Sequence, residues 1–376
     1  MPSHPVVLYG ASGYTGRLIA EYLRDYSVPF VALGRDEARV GDVMGHVPGI
    51  TDVEHEVGAV EHTVDALSER FDGAKVVCNT VGPFATYGHE VVQACLNVGA
   101  HYLDTTGEQN WMIDAEAQYG EAFAEKGIVL LPCLAQMYTT GEIAANVALE
   151  TPGLDTLDIL VLWKGFPTTA STASIFTILM AKHYYLEDNA YQQWDPRTHF
   201  DLGIPGQHEP AIVLPWGGTG HPVWFKDDHR VSSCRVLGGV QQRELMEGVI
   251  QIVDAVEEQV KPLASEEEQK AAMSQIAESV GASEMPPREN HRLNRSIESV
   301  HASGPLGTVS VTLQGACNYK QTGLLQAFGA HRLVHGGGSA RVGFASGCQA
   351  FGHRELLATL QNFGLVGTPQ VSGSAR

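Results

Sequence analysis

The sequence predicts an α/β protein with an N-terminal Rossmann-type, doubly wound parallel sheet and a second α+β domain whose sheet is mostly antiparallel. Three observations carry this prediction. The first 150 residues alternate between short apolar runs, typical of buried strands, and segments with helical spacing. A glycine-rich turn joins the first run to the first helical segment. Beyond Pro152 the pattern changes: LDTLDILVLWKG has the apolar and β-branched density of a strand, and GTVSVTLQGACNY alternates apolar and polar residues as antiparallel strands do.

The N-terminal elements follow one another at the spacing of β–α units. The predicted strands are Pro5–Tyr9, Pro29–Leu33, Asp52–Val57, Lys75–Asn79, AHYLDT (100–105) and GIVLLPC (127–133). The predicted helices are Tyr14–Tyr26, Val64–Phe71, Gly88–Val98 and Ile113–Lys126. Repeated units of this length indicate a parallel sheet with helices on both faces.

The second half of the chain mixes strands and helices without a repeated unit. The predicted strands are LDTLDILVLWKG (154–165) and GTVSVTLQGACNY (307–319). The predicted helices are ASTASIFTILMAKHYYL (170–186), 243–260, TGLLQAFGAHRLVH (322–335) and HRELLATLQNFGL (353–365). Residues 195–240 favour loops and short strands, and residues 265–290 favour an exposed helix and linker.

Composition excludes several classes of partner. The chain has 24 basic and 43 acidic side chains, a formal net charge of −19, which disfavours nucleic acid and anionic membrane surfaces. Its six cysteines show no CxxC spacing, so neither a zinc knuckle nor a dithiol motif is predicted. No secretory signal pattern opens the sequence, and no apolar stretch reaches the roughly 20 residues of a membrane span. We therefore expect a cytoplasmic protein.

The stretch VVLYGASGYTGRLIAEYL contains Gly10, Gly13 and Gly16 between a predicted strand and a predicted helix. Alone, this spacing fits either a tight turn or a phosphate-binding turn. Its place between strand and helix favours dinucleotide binding: the first glycine permits the turn, the second admits a pyrophosphate, and the third lets the helix approach the sheet. The predicted cofactor contacts in this turn are Gly10, Ser12, Gly13, Tyr14 and Thr15.

The end of the second strand predicts which dinucleotide is bound. An NAD site places a carboxylate at this position, whereas here Gly34 is followed by Arg35. A guanidinium at this point can bind a 2′-phosphate, so we predict NADP(H), with Gly34 and Arg35 as contacts. Asp36 is expected to cap the following helix. The alternative for Arg35 is an ordinary surface arginine.

The fourth strand ends in CNTVGPFATYGHE, where a doubly wound sheet opens its ligand crevice. The predicted cofactor contacts here are Asn79, Thr80, Val81, Gly82, Pro83 and Tyr87. The alternative is that this segment is only a turn before a helix.

Three segments together resemble the saccharopine dehydrogenase-like oxidoreductases, a group that includes saccharopine reductases and trans-acting enoyl reductases. They are GASGYTGRLIAEYL, NTVGPFATYGHEVVQACLNVGAHYLDTTGE and NYKQTGLLQAFGAHRL. The resemblance implies an NADP(H)-binding domain over residues 1–150, a substrate and dimerisation domain over 151–339, C-terminal helices within 340–376 that return to the first domain, and a homodimer. Where such proteins often carry a Gly-Phe-Asp-like turn, this chain has Gln136, Met137 and Tyr138, which argues against a standard amino-acid substrate.

The proton donor of a reductase of this kind is not identified by motif, because no Ser-Tyr-x-x-x-Lys arrangement stands out. We predict Tyr138 as the first candidate, with Tyr87 and Lys164 as further catalytic candidates at predicted strand ends. Weaker candidates, each more readily read as helix surface, cap or packing, are His89, Glu108, His183 and Tyr184. The histidine-containing stretch GHPVWFKDDHR matches no standard zinc spacing, so no metal is predicted.

The leading hypothesis is an NADPH-dependent reductase that acts on a C=C or C=N bond of a small, partly apolar molecule. Ser171, Thr172 and the aromatic-rich region Trp194–Trp224 are candidates for shaping its pocket. An amino-acid enzyme would instead need arginines for carboxylates, and the middle of the chain offers Arg197, Arg230, Arg235 and Arg243. The alternatives are a non-catalytic NADP(H)-binding redox sensor on the same fold and a structural scaffold for oligomers.

Overall fold

The computed structural model describes residues 4–215, 220–279 and 282–375 of the 376-residue chain. The chain forms two compact units, each built from several segments. The first contains residues 1–106, 111–139 and 319–365, and the second contains residues 107–110, 140–318 and 366–376. The chain returns to the first unit at Tyr319, whereas the resemblance implied a return with the helices within 340–376. The last segment, 366–376, belongs to the second unit.

Seven parallel strands form the sheet of the first unit, in the order β15-β6-β5-β4-β1-β2-β3. They are β1 (Val6–Tyr9), β2 (Phe30–Gly34), β3 (His55–Ala59), β4 (Val76–Asn79), β5 (His101–Asp104), β6 (Val129–Leu131) and β15 (Gly343–Phe344). β1, β2 and β4 are buried at every position, as expected for strands covered on both faces. The predicted doubly wound parallel sheet is confirmed.

Helices follow the strands of this sheet in the predicted alternation. They are α1 (Tyr14–Asp25), α2 (Glu37–Gly45), α3 (Val64–Phe71), α4 (Phe84–Val98), α5 (Gln109–Glu125) and α6 (Gln136–Ala148), and later α11 (Asn318–Val334), α12 (Gly347–Phe351) and α13 (His353–Asn362). Helix α1 buries Leu18, Ile19 and Leu23, which lie on one helical face. Helix α11 approaches α1 closely, because a Cβ added to Gly323 would lie 3.0 Å from the backbone carbonyl carbon of Leu18.

The parallel register aligns the carboxyl ends of the central strands. Tyr9 at the end of β1 is paired with Leu33 in β2 and with Asn79 at the end of β4. The turn after β1 and the loop after β4 are therefore neighbours at one edge of the sheet. This edge is where open α/β sheets bind their ligands.

The second unit contains a seven-stranded sheet in the order β16-β14-β13-β7-β12-β8-β9. Its strands are β7 (Thr156–Lys164), β8 (Tyr184–Glu187), β9 (Ala190–Gln193), β12 (Ser233–Val240), β13 (Arg295–Gly304), β14 (Gly307–Ala316) and β16 (Gln370–Ala375), and β10 (Phe200–Leu202) pairs separately with β11 (Ala211–Val213). All neighbours in the larger sheet are antiparallel except β7 and β12. The mostly antiparallel second sheet is confirmed.

The helices of the second unit depart from the prediction most at the helix that follows β7. They are α7 (Thr169–Met180), α8 (His221–Phe225), α9 (Arg243–Ala255), a π-helical turn over Val256–Val260, and α10 (Glu266–Ser279). The helix predicted over residues 170–186 ends at Met180 because Ala181 is extended. Strand β8 begins at Tyr184, and its fully buried Leu186 pairs with Cys234 of β12, so the helix predicted over 170–186 was wrong beyond Met180.

Candidate functional site

The glycine-rich turn after β1 is too tight for side chains at two of its glycines. Gly10 has φ +88°, and a Cβ there would lie 2.4 Å from Oγ1 of Thr80. A Cβ on Gly16 would lie 2.5 Å from the carbonyl oxygen of Gly10. The backbone N–H groups of Gly10 and Ala11 both donate to the carbonyl of Leu33, at 2.9 and 3.0 Å. The turn therefore holds one backbone path between β1, β2 and α1.

The N-terminus of α1 opens from this turn. Its N-cap residue, Gly13, is extended and has no side chain to cap the helix, and the first turn carries no acidic residue. Ser12 and Thr15 are half-buried beside it, whereas Tyr14 is buried edge-on against Tyr319, with ring centroids 5.2 Å apart. A helix N-terminus carries a partial positive charge, so this end is fit to receive a pyrophosphate.

The end of β2 presents Arg35 to solvent. Gly34 is buried, and a Cβ there would lie 2.7 Å from Val40. The carboxylate of Asp36 accepts a hydrogen bond from the backbone N–H of Arg39 at 3.1 Å and caps α2, as predicted. Asp36 thus caps the helix, and the exposed Arg35 directly follows the strand end, so its contact with the cofactor stays a prediction.

The loop after β4 is fastened to the glycine-rich turn. The Thr80 hydroxyl lies 3.1 Å from the carbonyl oxygens of both Tyr9 and Gly10, to which it can donate. The side-chain oxygen of Asn79 accepts from the N–H of Val81 at 2.9 Å. Asn79 is fully buried, so its side chain holds the loop from the protein interior. Gly82 and Pro83, joined by a cis peptide bond, complete the loop, and Pro83 is the N-cap of α4.

A buried carboxylate at the end of β5 joins three loops of the first unit. Asp104 accepts hydrogen bonds from the backbone N–H groups of Thr106 and Cys133 at 2.9 and 2.7 Å, from the Tyr102 hydroxyl at 2.8 Å and from the Trp111 indole N–H at 3.0 Å. The Tyr102 hydroxyl in turn accepts from the amide of Asn79 at 3.1 Å. Burial raises the pKa of Asp104 to about 6, against these four hydrogen bonds, which lower it.

A second group of linked polar side chains lies at the end of β1, and like the network around Asp104 it was not predicted from the sequence. Tyr9 and His62 share a hydrogen bond of 2.9 Å, and His62 lies 3.4 Å from the carboxylate of Glu90. The ring of Tyr87 stands perpendicular to that of His62, with centroids 5.3 Å apart. No signal in the local sequence identifies this group, because its members come from β1, the β3–α3 connection and α4.

The three catalytic candidates lie in different places. Tyr87 is in the first turns of α4 and is 42% exposed, and its contact with His62 places it on the β3 side of β4. Tyr138 is half-buried in the first turn of α6 and belongs to the first unit. Lys164 is the exposed last residue of β7 in the second unit. Their catalytic roles stay predictions.

The four arginines of the middle region are each held by carboxylates of this chain. Arg197 pairs with Asp254 and Glu258, Arg230 with Asp228, Arg235 with Asp158 and Glu187, and Arg243 with Asp201 and Glu247. Each of these guanidinium groups is therefore already paired with a carboxylate of this chain. Of the candidate pocket residues, Ser171 and Thr172 lie in the first turn of α7, and Trp216 lies outside the described residues. Within the described ranges, no group of three or more His, Cys, Asp or Glu could hold a metal ion.

The fold and the turn geometry are those of a Rossmann-type dinucleotide-binding protein, and a family comparison identifies the dinucleotide. Residues 6–131 match the family described as saccharopine dehydrogenase NADP binding domain, which confirms the resemblance and the cofactor. Residues 139–375 match a family of unknown function, DUF5938, and the chain belongs to that family.

Three curated relatives show the extent of the likeness. A lipid droplet localized protein of Caenorhabditis elegans is 33% identical over 139 residues, which are 35% of this chain and 33% of that protein. A saccharopine dehydrogenase-like oxidoreductase of Mus musculus is 31% identical over 144 residues, 35% of this chain and 33% of that protein. A protein of Mycobacterium tuberculosis that carries the name trans-acting enoyl reductase is 35% identical over 127 residues, 32% of this chain and 30% of that protein. The matched segment thus spans about a third of each relative.

Proposed function

We propose that the chain is an NADPH-dependent reductase that transfers hydride to a C=C or C=N bond of a small, partly apolar substrate. The observation that carries the proposal is the turn of Gly10, Gly13 and Gly16 at the N-terminus of α1, with the exposed Arg35 at the end of the adjacent strand. The NADP binding domain match and the names of the oxidoreductase and enoyl reductase relatives support it.

The residues of this chain would bind and orient the dinucleotide, which supplies the hydride. We assign the pyrophosphate to the N-terminus of α1 and the 2′-phosphate to Arg35. Tyr138 is our candidate for the group that donates a proton or hydrogen-bonds the substrate, because it is half-buried at the start of the helix that follows β6. The arginines held in internal ion pairs support a substrate other than an amino acid.

Activity is tested by mixing the full chain with NADPH and a panel of conjugated enals, enoyl thioesters and cyclic imines, while the absorbance at 340 nm is followed. We expect NADPH to bind and to be oxidised with at least one enoyl or imine compound, and Tyr138→Phe to lower kcat by about 100-fold or more. Tight NADPH binding with no turnover across the panel would favour the redox sensor instead. A chain that binds neither NADPH nor NADH would contradict both functions.

Arg35→Ala should weaken NADPH binding by about 10- to 100-fold, because one charge-assisted contact with the 2′-phosphate is lost. NADH, which lacks this phosphate, should change by less than about 2-fold. Isothermal titration with both dinucleotides measures this. Arg292→Ala, a change at an exposed arginine of the second unit, is the matched control and should affect neither. Equal losses for NADPH and NADH would remove Arg35 from the 2′-phosphate site.

A cytoplasmic location and a homodimeric state are also proposals, made from sequence and from the resemblance. None of the helices built from described residues has the length and apolar character that a bilayer crossing requires. The C. elegans relative is named for lipid droplets, so fractionation of cells into cytosol and lipid droplets is the direct test of location. Light scattering of the purified chain tests the dimer.

A further inference from the structure

A hydrogen bond to Tyr9 and a close contact with Glu90 hold the imidazole ring of His62 beside the glycine-rich turn. Nδ1 of His62 and the Tyr9 hydroxyl are 2.9 Å apart and share a hydrogen bond, and Nε2 of His62 lies 3.4 Å from a carboxylate oxygen of Glu90. The rings of Tyr9 and His62 are also nearly parallel, at 10°, with centroids 6.0 Å apart. Tyr9 is only 1% exposed, so His62 is anchored to the interior of the sheet.

This anchored ring supports an exposed aromatic surface. Tyr87 lies one helical turn before Glu90 on α4, so both side chains project from the same face of the helix toward His62. The rings of Tyr87 and His62 meet edge to face, at 88°. Tyr87 nevertheless remains 42% exposed. An exposed aromatic ring whose orientation is held by a neighbouring half-buried ring is suited to stacking a flat ligand ring.

The position of this surface identifies the ligand ring. Tyr9 directly precedes Gly10 of the phosphate turn, and the strand order places β3, which leads to His62, next to the β2 end that carries Arg35. Burial raises the pKa of Tyr9 to about 12, and the charge of Arg35 opposes this rise, so the guanidinium acts on the same hydroxyl that holds His62. The surface is therefore near both the pyrophosphate turn and the proposed 2′-phosphate contact.

We propose that the adenine ring of the dinucleotide stacks on Tyr87, and that Tyr9, His62 and Glu90 are positioning residues which hold this surface. The inference rests on the proposed function, because it needs NADP(H) in the site. Tyr87 is then an affinity determinant for the adenosine end of the cofactor, and not a proton donor. Since NADPH and NADH share the adenine, its contribution is equal for both, unlike that of Arg35.

The test compares the dissociation constants of NADPH, NADH and 2′,5′-ADP for four forms of the full chain. Tyr87→Ala should weaken all three ligands by a similar factor, about 5- to 50-fold, as expected for loss of one base stack. Tyr87→Phe keeps the ring and should bind as the unchanged chain does. His62→Ala should weaken the same three ligands by about 3- to 10-fold, since it loosens the surface without removing it.

The outcomes separate the inference from the proposed function. If NADPH binds tightly and Tyr87→Ala alters none of the three ligands, the inference is overturned while the proposed function stands. If Tyr87→Ala weakens NADPH and leaves 2′,5′-ADP unchanged, Tyr87 acts at the nicotinamide end and the adenine assignment is wrong. If the unchanged chain binds none of the ligands, the proposed function fails and the inference with it.

Discussion

Replacing Asp104 by asparagine should lower the free energy of unfolding by about 3–5 kcal/mol at pH 8, where this carboxyl is ionised, one of the largest effects expected in this chain. Each carboxylate oxygen of Asp104 accepts two hydrogen bonds, one pair from backbone N–H groups and the other from the Tyr102 hydroxyl and the Trp111 indole. Whichever way an amide turns, its NH₂ group faces two donors. Urea unfolding followed by circular dichroism measures the loss, and Asp114→Asn, at an exposed position of α5, should have little effect.

The effect of Asp104→Asn on the free energy of unfolding should depend on pH. The pKa of Asp104 is raised from 3.8 to about 6 in the folded chain, so the folded state holds this proton more tightly than the unfolded state. The stability that this proton contributes is complete below the unfolded pKa and is lost as the pH rises through about 6. The unchanged chain should therefore lose about 1–2 kcal/mol from this group between pH 5 and 8, a term that Asp104→Asn lacks. A difference between the two proteins that is constant with pH would mean that Asp104 is ionised throughout.

Gly16→Ala should weaken NADPH binding by more than about 100-fold, beyond what can be measured. It should also lower the free energy of unfolding of the first unit by about 2–4 kcal/mol. The added Cβ would lie 2.5 Å from the Gly10 carbonyl oxygen and 2.9 Å from the Cα of Ala11. Both are backbone atoms, so the helix must move away from the turn that receives the pyrophosphate. Thermal unfolding and titration with NADPH measure the two effects.

The matched control for this substitution is Gly41→Ala, in the middle of α2. There an added Cβ has its nearest neighbour, Val57, at 3.9 Å, which is ordinary contact. Because alanine is the better helix former, this variant should be unchanged or more stable by up to about 1 kcal/mol, with normal NADPH affinity. A Gly16→Ala protein that binds NADPH as tightly as this control would disprove the close approach of α1 to the turn.

The Rossmann part of the fold could be predicted because its signals are local. Each strand there is a short apolar run, and the glycine-rich turn, the Arg35 position and the Asp36 cap all lie within a few residues of a strand end. β13 was missed, since its sequence RSIESVHASG mixes charged and polar residues and its place between β14 and β7 is decided by pairing with distant strands. β8 was missed because the apolar side chains that follow α7 suit a helix as well as a strand.

The site was predictable only where one segment of sequence contains the chemistry. The two polar networks join residues that are far apart along the chain: Tyr9 and His62 are separated by 53 positions, and Asp104 and Cys133 by 29. A tyrosine or aspartate at a strand end shows nothing of such partners until the fold brings them together. These networks hold the loops that the sequence identified, so the sequence indicated the groups that meet the ligand better than the groups that support them.

The attachment of Thr80 to the Tyr9 and Gly10 carbonyls bears on the kinetics of cofactor capture. Both loops that would receive the dinucleotide are tied to each other and, through Asn79 and Tyr102, to a buried anchor, so neither has to become ordered when the cofactor arrives. A preorganised cleft of this kind spares the entropic penalty of loop closure and makes encounter, and not rearrangement, the slow step. The observed association rate of NADPH with this unit should consequently rise in proportion to its concentration, without the plateau that a conformational step imposes.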